Sequence, residues 1–183
     1  MADSIKLAEG NGLQGKFVQL RYLSGFAKPI RSEGAFFVLP GTGLVWQTLS
    51  PVSTLMEIDD EGIRQSVEGT EVSNISAERF PAIGILREAL DSSLSGDWQQ
   101  LEELSGTKLK KSGDNWSLNF IPDQANDKLP FTKVFFDVGT YLEKIEIFKQ
   151  DGDKDIITFT DQKQATIGEI EAAARALKKE ASR

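Results

Sequence analysis

Across residues 13–58 apolar and polar positions alternate, and Gly-containing turns interrupt the pattern at short intervals, which predicts a run of β-strands. In the first strand Phe17, Gln19, Arg21 and Leu23 share one face, while Val18, Leu20 and Tyr22 share the other. A second strand over 31–39 follows Lys28-Pro29, and the Pro40-Gly41-Thr42-Gly43 turn leads into a third over 44–49, so this pair reads as a hairpin. Pro51 opens a fourth strand ending at Ile58, and the turn Asp59-Asp60-Glu61-Gly62 precedes a more polar strand over 63–67. Near Ser76 the period changes. Phe80, Ile83, Leu86, Leu90 and Leu94 recur at spacings of three and four, which predicts an amphipathic helix with Pro81 near its start, where a missing N–H costs least. A short second helix is expected over 97–104. Strands then return at 108–111, 116–121, 131–138, 141–150 and 155–160, joined by the Gly-containing turns at 112–115, 138–140 and 151–153. The tail over 167–179 reads as a charged helix with few apolar anchors. The implied class is α+β, mainly β, with antiparallel neighbours.

A chain of 183 residues fits one domain, 1–183, and is long enough to bury roughly 70% of the surface exposed when unfolded. No apolar run approaches the ~18 residues of a transmembrane helix. The net charge is −7 and the Lys and Arg residues are scattered along the chain, which disfavours both nucleic acid and an anionic membrane as partners. Neither His nor Cys occurs, so the commonest metal ligands, the commonest general base and the thiol nucleophile are all missing. Asp59-Asp60-Glu61 and Asp151-Gly152-Asp153 read as turns, the latter lacking the ligand spacing of a calcium loop. With no nucleophile and base to pair, no catalytic residue, metal or cofactor is expected, and an enzyme acting on lipid is the least favoured reading.

Several segments, by their order and spacing, resemble the LolA-like outer-membrane lipoprotein carriers. They are Gly15-Lys16-Phe17-Val18-Gln19-Leu20-Arg21-Tyr22-Leu23 followed by Pro29, Ser32 and Gly34; Gly43-Leu44-Val45-Trp46-Gln47-Thr48 with Pro51; Gly96-Asp97-Trp98; and Trp116-Ser117-Leu118-Asn119-Phe120-Ile121-Pro122. The resemblance implies a curved antiparallel sheet forming an open half-barrel, with helices covering its concave face. It also implies a monomeric periplasmic carrier that takes an acylated lipoprotein or other lipid from an inner-membrane exporter to an outer-membrane acceptor. That location requires removal of a leader, since Met1 to Gly10 lacks a basic and then apolar stretch. Better-known members carry an Arg directly before the Pro that ends the second strand, thought to hold the helical lid by its carbonyls; here the residue before Pro40 is Leu39. The cargo and lid mechanism therefore do not transfer, which opens a second carrier reading, for a specialised envelope lipid or pigment.

The chain has 11 Phe, 3 Trp and 2 Tyr, spread over nearly every element, and they could fill a core or line a cavity. The candidate lipid-binding residues are Phe17, Leu23, Phe36, Leu44, Trp46, Met56, Leu118 and Phe120 on the sheet, and Phe80, Ile83, Leu86 and Leu90 on the helix. Arg21 shares the face of Phe17 and Leu23; if that face is concave, a buried guanidinium there needs a partner, either lid carbonyls or a cargo headgroup, and otherwise the strand end is simply exposed. Burying an acyl chain is worth about 0.8 kcal/mol per methylene, on the order of 12 kcal/mol gross for roughly fifteen, which is too tight for release unless something opposes it. If the sheet is instead filled by its own side chains, the chain is an interaction domain.

Overall fold

The computed structural model describes residues 7–76, 82–113, 115–121 and 131–181, with the side chains at 82–86, 90, 112, 178, 180 and 181 left out. Its strands are β1 (Asn11–Tyr22), β2 (Ile30–Leu39), β3 (Gly43–Ser50), β4 (Thr54–Ile58), β5 (Gly62–Val67), β6 (Thr70–Ser76), β7 (Lys110–Ser112), β8 (Asn115–Phe120), β9 (Lys133–Val138), β10 (Leu142–Phe148) and β11 (Lys154–Thr166). They form one antiparallel sheet in the order β6-β5-β4-β3-β2-β1-β11-β10-β9-β8-β7. Consecutive strands are neighbours because their turns are short. The two exceptions are β1, which closes on β11, and the step from β6 to β7, which lie at opposite edges of the sheet. The chain covers that step with α1 (Ala82–Ser95) and α2 (Trp98–Ser105), so these helices lie between the sheet's two edges; α1 touches β1, β2, β3 and β5, and α2 touches β8.

Local chemistry marks the helix ends. Asp97 caps α2 by accepting the Gln100 N–H at 3.3 Å, and Gly106 ends it in the left-handed conformation. The last helix, α3 (Ile167–Ala181), begins with a reciprocal cap in which Thr166 N–H donates to Glu169 Oε2 at 3.0 Å and Glu169 N–H donates back to Thr166 Oγ1 at 3.4 Å. The Thr166 hydroxyl, which donates to the same Oε2 at 2.7 Å, and the Thr166 N–H together hold the Glu169 carboxyl below its ordinary value. Contrary to the expectation of a weakly anchored tail, Ile170 and Ala174 are buried.

The register separates two faces. Phe36 and Val38 of β2 belong to the large core cluster together with Ala89 and Leu94 of α1 and Trp98 and Leu101 of α2. Phe37 and Leu39, one position off, pack with Val45 against Ile170 and Ala174 of α3. The helices are therefore divided between the faces, and α3 departs from the picture in which the helices cover a single face. Leu39 packs with the α3 cluster, on the face away from α1.

Two elements differ from the sequence reading. β6 was not expected, and its residues are exposed or half-buried throughout. β11 continues to Thr166 rather than stopping near Thr160, because a bulge lets it go on pairing with β1 out to Asn11↔Thr166. The two acidic turns are turns: Asp59 Oδ1 accepts the Glu61 and Gly62 N–H groups, and Asp151 Oδ1 accepts that of Asp153.

Candidate functional site

Pairing across the sheet fixes which side chains meet. Phe36↔Trp46↔Met56 run across β2, β3 and β4, Phe17 sits opposite Phe159, and Phe136↔Leu118 joins β9 to β8. Of the expected lining residues, Phe17, Phe36, Leu44, Trp46, Leu118 and Phe120 are buried in the α1-side cluster, and Met56 packs on it half-buried. The rings touch one another. Phe17 stacks on Trp46 at 3.9 Å between centroids, and Phe159 meets Phe36 and Trp46 edge-on at 5.2 and 5.9 Å. The middle of this face is filled by side chains from β1, β2, β3 and β11. Phe159, absent from the expected set, belongs to this aromatic knot; its strand was legible but its pairing with β1 was not.

Leu23 is a correction. It lies past the end of β1, where its carbonyl accepts the Phe26 N–H at 3.1 Å, and it is part of neither core cluster. A turn, not a strand, places its side chain. Phe80 lies outside the described residues. Ile83, Leu86 and Leu90 lie in α1, with their side chains also outside that description.

Toward the end of β1 the same face changes character: Phe17 gives way to Gln19 and Arg21, Phe36 to Gly34 and Ser32, Trp46 to Thr48, and Met56 to Thr54. Shorter and polar side chains leave space, and an open cavity of about 450 Å³ occupies it. Trp46 and Met56 line it together with Ile30, Pro51 and Val52; the polar lining is Gln19, Arg21, Ser32, Thr48, Thr54 and Gln65. Exposed Phe26, Leu49 and Tyr22 lie at the same end of the sheet. Of the expected site residues whose side chains are described, Trp46, Met56 and Arg21 line this space.

Arg21 finds its partner within the sheet. Directly opposite it in register, Asp155 Oδ1 accepts from Arg21 Nε at 3.1 Å and Oδ2 from Nη2 at 3.5 Å. Lys149 Nζ reaches the same carboxylate at 3.0 Å. Asp155 is buried, whereas the Arg21 side chain is 47% exposed. The expectation of lid carbonyls as the partner gives way to this pair, because the β1–β11 register sets the two side chains against each other.

A second, smaller cavity of about 310 Å³ lies where the chain before β1 meets Pro40, α1, α2 and the start of α3. Asp91 and Asp97 both line it, as does Glu9. Burial pushes the Asp91 carboxyl up from its usual value, the Gly41 amide and Arg87 oppose that rise, and Asp97 adds to it; Oδ1 is buried with no hydrogen-bond partner among the described residues. The native protein thus holds this proton more tightly than the unfolded chain does. Stability is greatest below the unfolded carboxyl value and declines as pH rises through the folded one. Asp91→Asn keeps the shape without the charge. Thermal melts should show the variant more stable than the parent at pH 7, with the gap closing near pH 4. A gap that does not change with pH would mean that the charge of Asp91 is not what costs stability.

Among the described residues no group of three or more acidic side chains is placed to hold a metal ion, and no helix is long and apolar enough to cross a membrane. A family model described as outer membrane lipoprotein carrier protein LolA-like matches residues 3–181. No curated protein sequence matches the chain. Among solved structures, a LolA superfamily protein from Nitrosomonas europaea is 7% identical at a TM-score of 0.39, covering 88% of this chain and 89% of its own. An outer membrane lipoprotein-sorting protein domain from Vibrio parahaemolyticus is 12% identical at 0.38, covering 92% of each chain. The MucA/MucB complex of Pseudomonas aeruginosa matches at 14% and 0.38, with 90% of this chain covered and 58% of that one.

Proposed function

The chain belongs to the LolA-like outer membrane lipoprotein carrier family, and from that premise we propose that it is a single-domain, monomeric, non-enzymatic carrier. It binds the acyl part of a lipoprotein or other lipidic molecule and moves it through the periplasm between an inner-membrane exporter and an outer-membrane acceptor. In this reading the sheet is a half-open barrel whose concave face is the α1 face, and α1 and α2 form its lid. The observation that carries it is the open cavity beside the aromatic knot, floored by Trp46 and Met56. Half-polar walls and a filled inner end suit exchange. They allow part of an acyl chain to be buried, holding the gain well below the on-the-order-of 12 kcal/mol that would trap fifteen methylenes. The cargo lining is therefore Trp46, Met56 and their neighbours in the cavity; Phe17, Phe36, Leu44, Leu118 and Phe120 form the closed end behind it, which longer cargo has to displace.

Native mass spectrometry with organic extraction, on the protein isolated from its own cell envelope, tests this. Near-stoichiometric acyl or polyene species are the expected result, and their identity separates lipoprotein cargo from a specialised lipid or pigment, the alternative that Leu39 before Pro40 motivates. One observation favours a different class. The packed rings of Phe17, Phe36, Trp46 and Phe159 close the middle of the face as a plain core would. A cargo-free mass, with no displacement of a fluorescent fatty-acid probe, would make the chain an interaction domain instead.

A further inference from the structure

Resting on the carrier reading of the same cavity, we propose that the cargo is an anionic amphiphile, its carboxylate or phosphate held at Arg21 while its hydrocarbon lies over Trp46 and Met56. Among the described residues that line the cavity, Arg21 is the one charged side chain. Asp155 engages it through Nε and Nη2, and a guanidinium carries five donors in a fixed fork, so its other edge is left without a partner among the described residues. That edge belongs to a half-exposed side chain in an open space.

The charge there is not fully answered. Lys149 draws on the same buried carboxylate, so two cations share one anion. Acids close by are held elsewhere: Glu33 pairs with Arg31 at 2.6 Å, Asp153 accepts the Ser24 N–H at 2.8 Å and Asp151 accepts that of Asp153, and none of these three lines the cavity. Gln19 and Ser32, paired across β1 and β2 one step along the same face from Arg21, add amide and hydroxyl donors to that side of the lining, which an anionic oxygen can use and a hydrocarbon cannot. Polar donors around one cation at one side, with an indole and a thioether at the other, match an acyl chain that ends in an anion. A cationic headgroup would meet Arg21 unfavourably. A purely apolar cargo would desolvate the guanidinium and return no bond.

Calorimetric titration of the full chain with dodecanoate, dodecyl phosphate, dodecanol, dodecyltrimethylammonium and inorganic phosphate, all below micelle formation, tests the assignment. The two anionic amphiphiles should bind about tenfold more tightly than dodecanol, a margin that shrinks with added salt and disappears in Arg21→Gln. Lys149 still pairs with Asp155 in that variant, so the carboxylate is not left alone; the salt series on the parent protein reads the same interaction without any substitution. Equal affinity for dodecanoate and dodecanol overturns the headgroup assignment and leaves the carrier reading standing. A preference that survives Arg21→Gln overturns the role of Arg21. Inorganic phosphate binding as tightly as dodecyl phosphate reduces the site to one for a small anion. Binding of no amphiphile overturns the carrier reading and this one with it.

Discussion

Trp46→Ala is expected to lower the unfolding free energy by about 3–5 kcal/mol and, in the fraction that stays folded, to shift cargo preference toward longer acyl chains. Both effects follow from its position. The indole stacks on Phe17 at 3.9 Å and meets Phe159 edge-on at 5.9 Å, and its other side floors the open cavity. Removing it deletes a nearly buried aromatic from a packed face and leaves a void the neighbours only partly refill. Against a typical total of roughly 5–15 kcal/mol, that loss is a large fraction, so urea denaturation is the direct measurement. The void also removes the partition between the cavity and Phe36 and Phe159, giving a chain end somewhere to go. Displacement of a fluorescent probe by fatty acids of increasing length reads this second effect, and Trp46→Phe should restore most of the stability with little of the shift. A Trp46→Ala protein as stable as its parent would remove Trp46 from the packing role, and an unchanged length preference would remove it from the cavity floor.

Legibility in the sequence followed burial. From β1 to β5 one face is covered by α1 and the core, and in β2 and β3 α3 buries part of the other as well, so apolar residues are dense and the strands and hairpins can be read directly. β6 is an edge strand whose residues are exposed or half-buried; Val72 and Ile75 are both exposed, and three residues apart they do not fit a period of two. Nothing in such a segment forces a choice of face, so its pairing with β5 is a tertiary outcome. The end of β11 was missed for a related reason. Asp161, Gln162, Lys163 and Gln164 read as polar coil, yet Lys16 pairs with Asp161 at 2.8 Å, and Gln164↔Leu13 extends the ladder. In α3 the anchors are Ile167, Ile170, Ala173, Ala174 and Leu177, and with two of the five being small alanines set among charged residues they leave little hydrophobic signal.

The candidate site was legible as a set of large apolar residues on one face but not as a cavity. Periodicity says which side chains point the same way; it does not say whether they touch. Phe17, Phe36 and Trp46, expected as lining, belong to one cluster in the structure, where their rings fill the face. The open space lies where the sequence has Gly34, Ser32, Thr48 and Thr54 on that face, residues that carry no hydrophobic signal. Arg21 drew notice because a cation on an apolar face needs a partner, but that partner was 134 positions away and only the register of β1 with β11 could supply it. The lid position is similar. Leu39 for Arg was visible in the chain, while its packing toward α3 rather than α1 depended on which face the second strand gives to each helix.

Gly34 shows the same limit in a single residue and yields the other large expected effect. It entered the sequence reading only as one member of a spaced pattern, yet its reason for being glycine is physical. A Cβ at this position would run into the backbone carbonyl oxygen of Gln47 on β3, with Gln47 C and Thr48 Cα also closer than ordinary contact. No side-chain rotation relieves a clash with backbone. The two strands would have to separate where their register already shifts between Glu33 and Gly34. Gly34→Ala should therefore cost about 3 kcal/mol, at the upper end for overpacking, although alanine ordinarily suits an extended strand better than glycine does. The strain falls between Ser32 and Thr48, two residues lining the cavity, so whatever protein remains folded should also lose affinity for the fatty-acid probe. Equilibrium denaturation and probe titration on the same variant check both. A Gly34→Ala protein that gains stability, as a strand glycine relieved of its entropy would, means that β2 and β3 do not approach as closely as the shared ladder places them.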